Sequence, residues 1–145
     1  MSAEEKIEIH RGLKGVYFER SGTTFIDGKA GELRYRGYSI HDLAEHATFE
    51  EICHLMLAGD LPTAAQLAQV KAGLAENRVL RPQMRDLLES LRDAHPMTVL
   101  RTAVSAFGAY DPASDDRSPT ALVTKGIALT SQAATLVAAH HRLRR

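Results

Sequence analysis

Four cationic side chains, Arg11, Lys14, Arg34 and Arg36, stand in a short stretch that also holds Gly12, Gly15, Gly22, Gly28, Gly31 and Gly37. A guanidinium presents a planar fork of donors that suits phosphate or carboxylate, and glycine lets a ligand come close to the backbone. The stretch is therefore an anion site or the solvated edge of a small sheet, and both readings stand at this point. It is not a nucleotide phosphate loop. "GTTFIDGKA" has five residues between its glycines where G-x-x-x-x-G-K-[ST] has four, and Ala30 occupies the place of the magnesium-binding hydroxyl.

The other candidate groups fare less well. Cys53 could be a nucleophile if its thiolate were stabilised, but it falls in the apolar stripe of a helix, where a buried, inert thiol is expected. His41 and His46 are five apart and do not share a helical face, while Glu50 and His54, at i and i+4, read as a solvated pair. His140 and His141 are adjacent and point in different directions, so no metal cluster is expected. His95 precedes Pro96 and reads as a capping or turn-packing residue rather than a general acid or base.

The elements that must carry these groups are mostly helices. From Gly15 to Tyr38 the chain reads as short strands and turns, with "VYF", "TTFI" and "ELRYR" as β-rich segments and "DGKAG" as a turn. From Ser39 onward the periodicity is helical. "SIHD", "TFEE" and "TAAQ" fit the capping box, in which a hydroxyl and an acid or amide three residues later satisfy free amides. Phe49, Ile52, Cys53, Met56 and Leu57 mark one buried face, and Gly59 is a stop. Pro82 opens another helix, and Met97, Leu100, Val104 and Phe107 predict the inner face of the next. "DPASDDRSP" is a polar linker.

Ser118-Pro119 then opens a helix of roughly 40 Å. Between Ser118 and His141 its sole formal charge is Lys125. A helix apolar on most sides belongs in an interior, and five helices with a hairpin can hardly surround it. It stops at "HHRLRR" without glycine or proline, and the reading expects a catalytic C-terminal portion beyond residues 1–145. Basic residues also complement a helix C-terminus, so this end is legible without such a continuation.

The bulk composition agrees with a single domain. A chain of 145 residues buries about 68–70% of its unfolded surface. Eighteen basic and eighteen acidic residues cancel, which argues against a broad nucleic-acid footprint. One cysteine excludes an internal disulfide and suits a reducing cytosol. "MSAEEKIEIH" lacks the basic and apolar regions of a signal peptide, and no uninterrupted apolar run reaches the length of a membrane span. A cytoplasmic chain is expected.

Four strings in order, "RGLKG", "GELRYRGYSIHDLAE", "FEEICHLMLAGDLPT" and "HPMTVLRTAVSAFGAYD", resemble successive signatures of the citrate synthase family, which includes 2-methylcitrate synthases. The resemblance covers about Ile9 to Arg145. It implies the N-terminal part of a large, mainly α domain, with a hairpin region at residues 15–38 and helices from 39 onward. It implies a homodimer with the Pro96–Tyr110 segment at the interface, and acetyl-CoA and oxaloacetate as substrates, with coenzyme A thioester as substrate rather than a permanently bound cofactor. None of the seven histidines lies in a matching catalytic motif, so the enolising and ketone-polarising groups are expected in other sequence. Among residues present here, the resemblance assigns a coenzyme A phosphate contact to Arg11 and a structural role to the arginines of "RYRG". A truncated helical interaction module, or a split subunit pairing with a C-terminal half, is the alternative.

Overall fold

In this computed structural model residues 10–13, 15–17 and 19–145 are described. Lys14 and the Phe18 end of "VYF" lie outside them. The expected strand at Val16–Tyr17 is not formed. Three short antiparallel strands, β1 (Thr24–Asp27), β2 (Glu32–Tyr35) and β3 (Tyr38–Ser39), make a meander with Thr24 opposite Tyr35 and Arg34 opposite Ser39. The first turn is closed by Asp27, whose carboxylate accepts from the amides of Lys29 at 2.9 Å and Ala30 at 3.1 Å. The second turn holds only Arg36 and Gly37, with φ of 50° and 91°. Two successive positive φ values are those of a tight hairpin whose twist matches its strands.

Six helices follow: α1 (Ile40–His46), α2 (Phe49–Ala58), α3 (Ala64–Glu76), α4 (Pro82–Ser90), α5 (Pro96–Ala109) and α6 (Pro119–Leu143). Local chemistry sets their ends. Thr48 with Glu51 and Thr63 with Gln66 form complete capping boxes, and Gly59 ends α2 at φ 105°. Ser39 caps α1 through the amide of His41 alone, at 3.3 Å. His95 accepts from the amide of Met97 at 3.3 Å and caps α5, as its position before Pro96 suggested.

Helix α6 is the spine, touching α2, α3, α4 and α5. One cluster, Leu80, Met84, Leu88, Val99, Ala103 and Leu136, joins α4 and α5 to the C-terminal half of α6. A second, Cys53, Val70 and Leu74 with Ile127, joins α2 and α3 to its N-terminal half. Between them the Ser131 hydroxyl donates to the Leu74 carbonyl at 2.6 Å, one of the last carbonyls of α3.

Two expectations about faces need correction. In α5 the inward residues are Val99 and Ala103, whereas Met97 is 64% exposed and Val104 also faces out. Small Ala103 permits the close approach of α5 to its neighbours, while Leu100 and Phe107 pack against the edge of the same core as expected. In α2 Leu55 is wholly buried and Phe49 is 65% exposed. In α6, by contrast, only Ser131, Leu136 and His140 are buried, so the preceding helices and hairpin do not enclose it, as its charge-poor sequence predicts. By length and composition alone it could cross a membrane. Its Thr, Ser, Gln and Lys side chains interrupt the apolar run, so no continuous span stands out in the sequence.

Candidate functional site

The three arginines, for which an anion site and a solvated edge both stood open, have separate settings. Arg11 is exposed in a single 3-10 turn, Arg11–Leu13, in which Gly12 has φ 65°. Arg34 is paired with Glu32 on the same strand. Arg36 turns back to α2, its Nη2 donating to the Met56 carbonyl at 3.2 Å, while its buried Nε has no partner among the described residues. Its amide donates to the Thr23 carbonyl at 2.9 Å, which helps to hold the positive φ. Arg36 is thus a strut between hairpin and helix bundle. Arg11 alone of the three remains available to an outside anion.

The remaining candidates are structural. Burial, helped by the nearby charge of Glu50, pushes the Cys53 thiol above its ordinary range, which disfavours a nucleophilic thiolate. Nδ1 of His54 pairs with the Asp60 carbonyl at 2.7 Å rather than with Glu50. Nδ1 of His46 pairs with the Asp42 carbonyl at 3.1 Å. His140 is buried and His141 exposed. Among the described residues no three metal-ligating side chains converge.

One constellation went unread. Lys125, the lone charge in the apolar length of α6, aims its ammonium into the 111–117 loop. It donates to the carbonyls of Ala113, Ser114 (3.2 Å) and Asp116 (2.7 Å), and lies 3.8 Å from the Asp111 carboxylate. The main-chain amide and the hydroxyl of Ser118 hold the Asp116 carboxyl below its ordinary range, with Lys125 contributing less. Arg81 adds a second tie, Nη1 to the Tyr110 carbonyl at 2.6 Å. A solitary lysine facing "DPASDD" was the available signal. Lys125→Met should leave three carbonyls without their donor and cost about 1–2 kcal/mol, reduced from the buried case because the ammonium is partly solvated. Trypsin should then cut faster after Arg117. An unchanged cleavage rate would show that the clamp does not hold the loop.

The family model described as "Citrate synthase, C-terminal domain" matches residues 12–145. Citrate synthase from Deinococcus radiodurans is 39% identical over 135 residues, which is 92% of this chain and 36% of that protein. A 2-methylcitrate synthase from Mycobacterium tuberculosis is 36% identical over 145 residues, 99% of this chain and 36% of that one. Among solved structures, citrate synthase from Pyrobaculum aerophilum superimposes with a TM-score of 0.87 at 34% identity, covering 94% of this chain and 37% of its own. The ternary complex of Thermoplasma acidophilum citrate synthase with carboxymethyl coenzyme A and oxaloacetate gives 0.85 at 27% identity, covering 94% and 36%. The chain thus spans little more than a third of each of these proteins. With residues 12–145 matched by the family model and relatives of 36–39% identity over nearly its whole length, this chain belongs to the citrate synthase family.

Proposed function

We propose that the chain is the N-terminal part of a citrate synthase-like acyltransferase whose whole form condenses acetyl-CoA with oxaloacetate and water to give citrate and free coenzyme A. The carrying observation is the superposition of 94% of this chain on 37% of a citrate synthase chain with a TM-score of 0.87. The new carbon–carbon bond joins the acetyl methyl to the oxaloacetate ketone carbon, and water then cleaves the thioester. Forming the enol near neutral pH calls for a paired base and acid. Here, by contrast, His46 and His54 pair with main-chain carbonyls, His95 caps α5 and His140 is buried, and no histidine lies in a matching family motif. The chemistry is therefore assigned to the rest of the family chain, and this polypeptide to the scaffold. The exposed outer residues of α5 and α6, Met97, Val104, Leu129 and Val137, suit a homodimer contact.

Thiol release with both substrates is expected to be absent with this chain alone. It is expected to appear when the chain is co-expressed with the complementary two-thirds of a synthase. Turnover by the isolated chain would overturn the assignment. In the complemented enzyme Arg11, an exposed guanidinium beside glycine, is proposed to meet a coenzyme A phosphate. A solvated pair contributes about 0–1 kcal/mol, so Arg11→Ala should raise KM for the thioester up to about fivefold and leave kcat unchanged. Equal loss in kcat would exclude a simple binding contact.

The 36% identity over the whole chain to a 2-methylcitrate synthase supports a second reading within the family, in which propionyl-CoA replaces acetyl-CoA. Rates with the two thioesters in the complemented enzyme separate them. The exposed apolar faces also favour a split-subunit role, in which the chain works only as the partner of a separate C-terminal polypeptide.

A further inference from the structure

We infer that a trough over the C-terminal half of α6 seats an acid-bearing helix from the part of a citrate synthase chain that this chain does not contain. The inference rests on the functional reading above. One end of the trough is a groove of about 590 Å³ between α6, the start of α2 and the end of α3. Its apolar floor includes Leu74 and the exposed Phe49, Ala134 and Ala138. A second groove, of about 470 Å³, adjoins it toward α4 and holds Val79, which is 69% exposed. The two share Arg78, Thr135, Ala139 and Arg142, and so form one surface.

Charge selects the occupant. Arg78, Arg85 and Arg142 line the trough, are all exposed, and form no ion pair among the described residues. Glu50 and Glu89 also line it, and Glu89 lies 3.7 Å from Arg92. In a two-fold pairing of identical chains a patch meets itself. Both copies would then bring the same excess of arginine over carboxylate, which is unfavourable. A second copy therefore does not fit here, unlike the uncharged Met97, Val104, Leu129 and Val137. The occupant must bring carboxylates. It is a helix because Thr130, Ala134 and Ala138, at i, i+4 and i+8, make a shallow ridge against which another helix axis can come close. The source follows from length, since nearly two-thirds of each matched synthase lies outside this same segment.

The test is co-expression of the affinity-tagged chain with the remaining portion of the Deinococcus radiodurans synthase, scored by co-purification and thiol release. The unmodified chain should retain the complement. R78E/R142E should reduce retention at least tenfold, while R78K/R142K keeps most of it. Both arginines are exposed, so the melting curve of the tagged chain alone should not change. Retention and thiol release that survive R78E/R142E would overturn the trough assignment and leave the functional reading intact. Failure of the unmodified pair to associate or turn over would overturn both. A change in the sedimentation mass of the isolated chain on R78E/R142E would assign the trough to a second copy and overturn the acid-bearing occupant.

Discussion

Leu136→Ala is expected to lower the stability of the isolated chain by about 2–5 kcal/mol, because removing buried methyl groups forfeits their transfer energy and leaves a cavity. Leu136 is 2% exposed and stands where α6 closes the cluster of Met84, Leu88, Val99 and Ala103. Its neighbour Val137 is 57% exposed, so Val137→Ala should change stability by less than about 0.5 kcal/mol. The contrast between adjacent residues is the informative quantity. Urea unfolding of both variants, with slopes compared for constancy, measures it. Equal losses would mean that α6 is rotated from the orientation described, and a loss below about 1 kcal/mol at Leu136 would mean that its C-terminal half is not what holds α4 and α5 together.

That pair of residues also shows which parts of the fold were legible in the sequence. Helix ends were, since a cap is a contract between residues three apart. Thr48 and Glu51 meet wherever the helix later packs, and so do Thr63 and Gln66. Faces were not. Leu122, Gly126, Leu129, Ala133, Leu136 and Val137 look alike as a run of apolar or small residues, yet Leu136 is buried while Leu122 and Val137 are more than half exposed. The reason is that α6 crosses its partners. Its N-terminal half meets α2 through Gly126 and Leu57, and its C-terminal half meets α4 and α5 on another side. No single stripe describes both.

The same limit applies to the candidate site. The type of Arg36 suggested an anion ligand. Its tight turn directs the guanidinium to the Met56 carbonyl twenty residues away, and that partner is fixed by tertiary structure. Lys125 was visible as a lone charge but not as a clamp, because its acceptors are main-chain carbonyls, which every sequence supplies. Arg11 was named by family resemblance, and its exposed turn is compatible with that role without requiring it.

Gly126→Val is expected to destabilise the chain by about 1–3 kcal/mol, the usual cost of overfilling a packed contact. A Cβ at Gly126 would lie 2.6 Å from Cδ2 of Leu57, 3.3 Å from Cδ1 and 3.5 Å from Cγ. Leu57 also lines an open groove with Met56, Leu122 and Val123, so its side chain can swing aside for one methyl. Gly126→Ala should therefore be close to neutral, because the helix gains about 1 kcal/mol on losing its glycine and that gain offsets the displaced leucine. Valine adds two further methyls and a restricted χ1, and a swing of Leu57 no longer makes enough room. If the clash is the cause, shortening Leu57 should relieve it. The Gly126→Val, Leu57→Ala double variant is then more stable than the sum of the two single losses predicts, by at least about 0.5 kcal/mol. Additive losses in that cycle would place the cost of valine elsewhere and remove the evidence that α2 and α6 meet at this glycine.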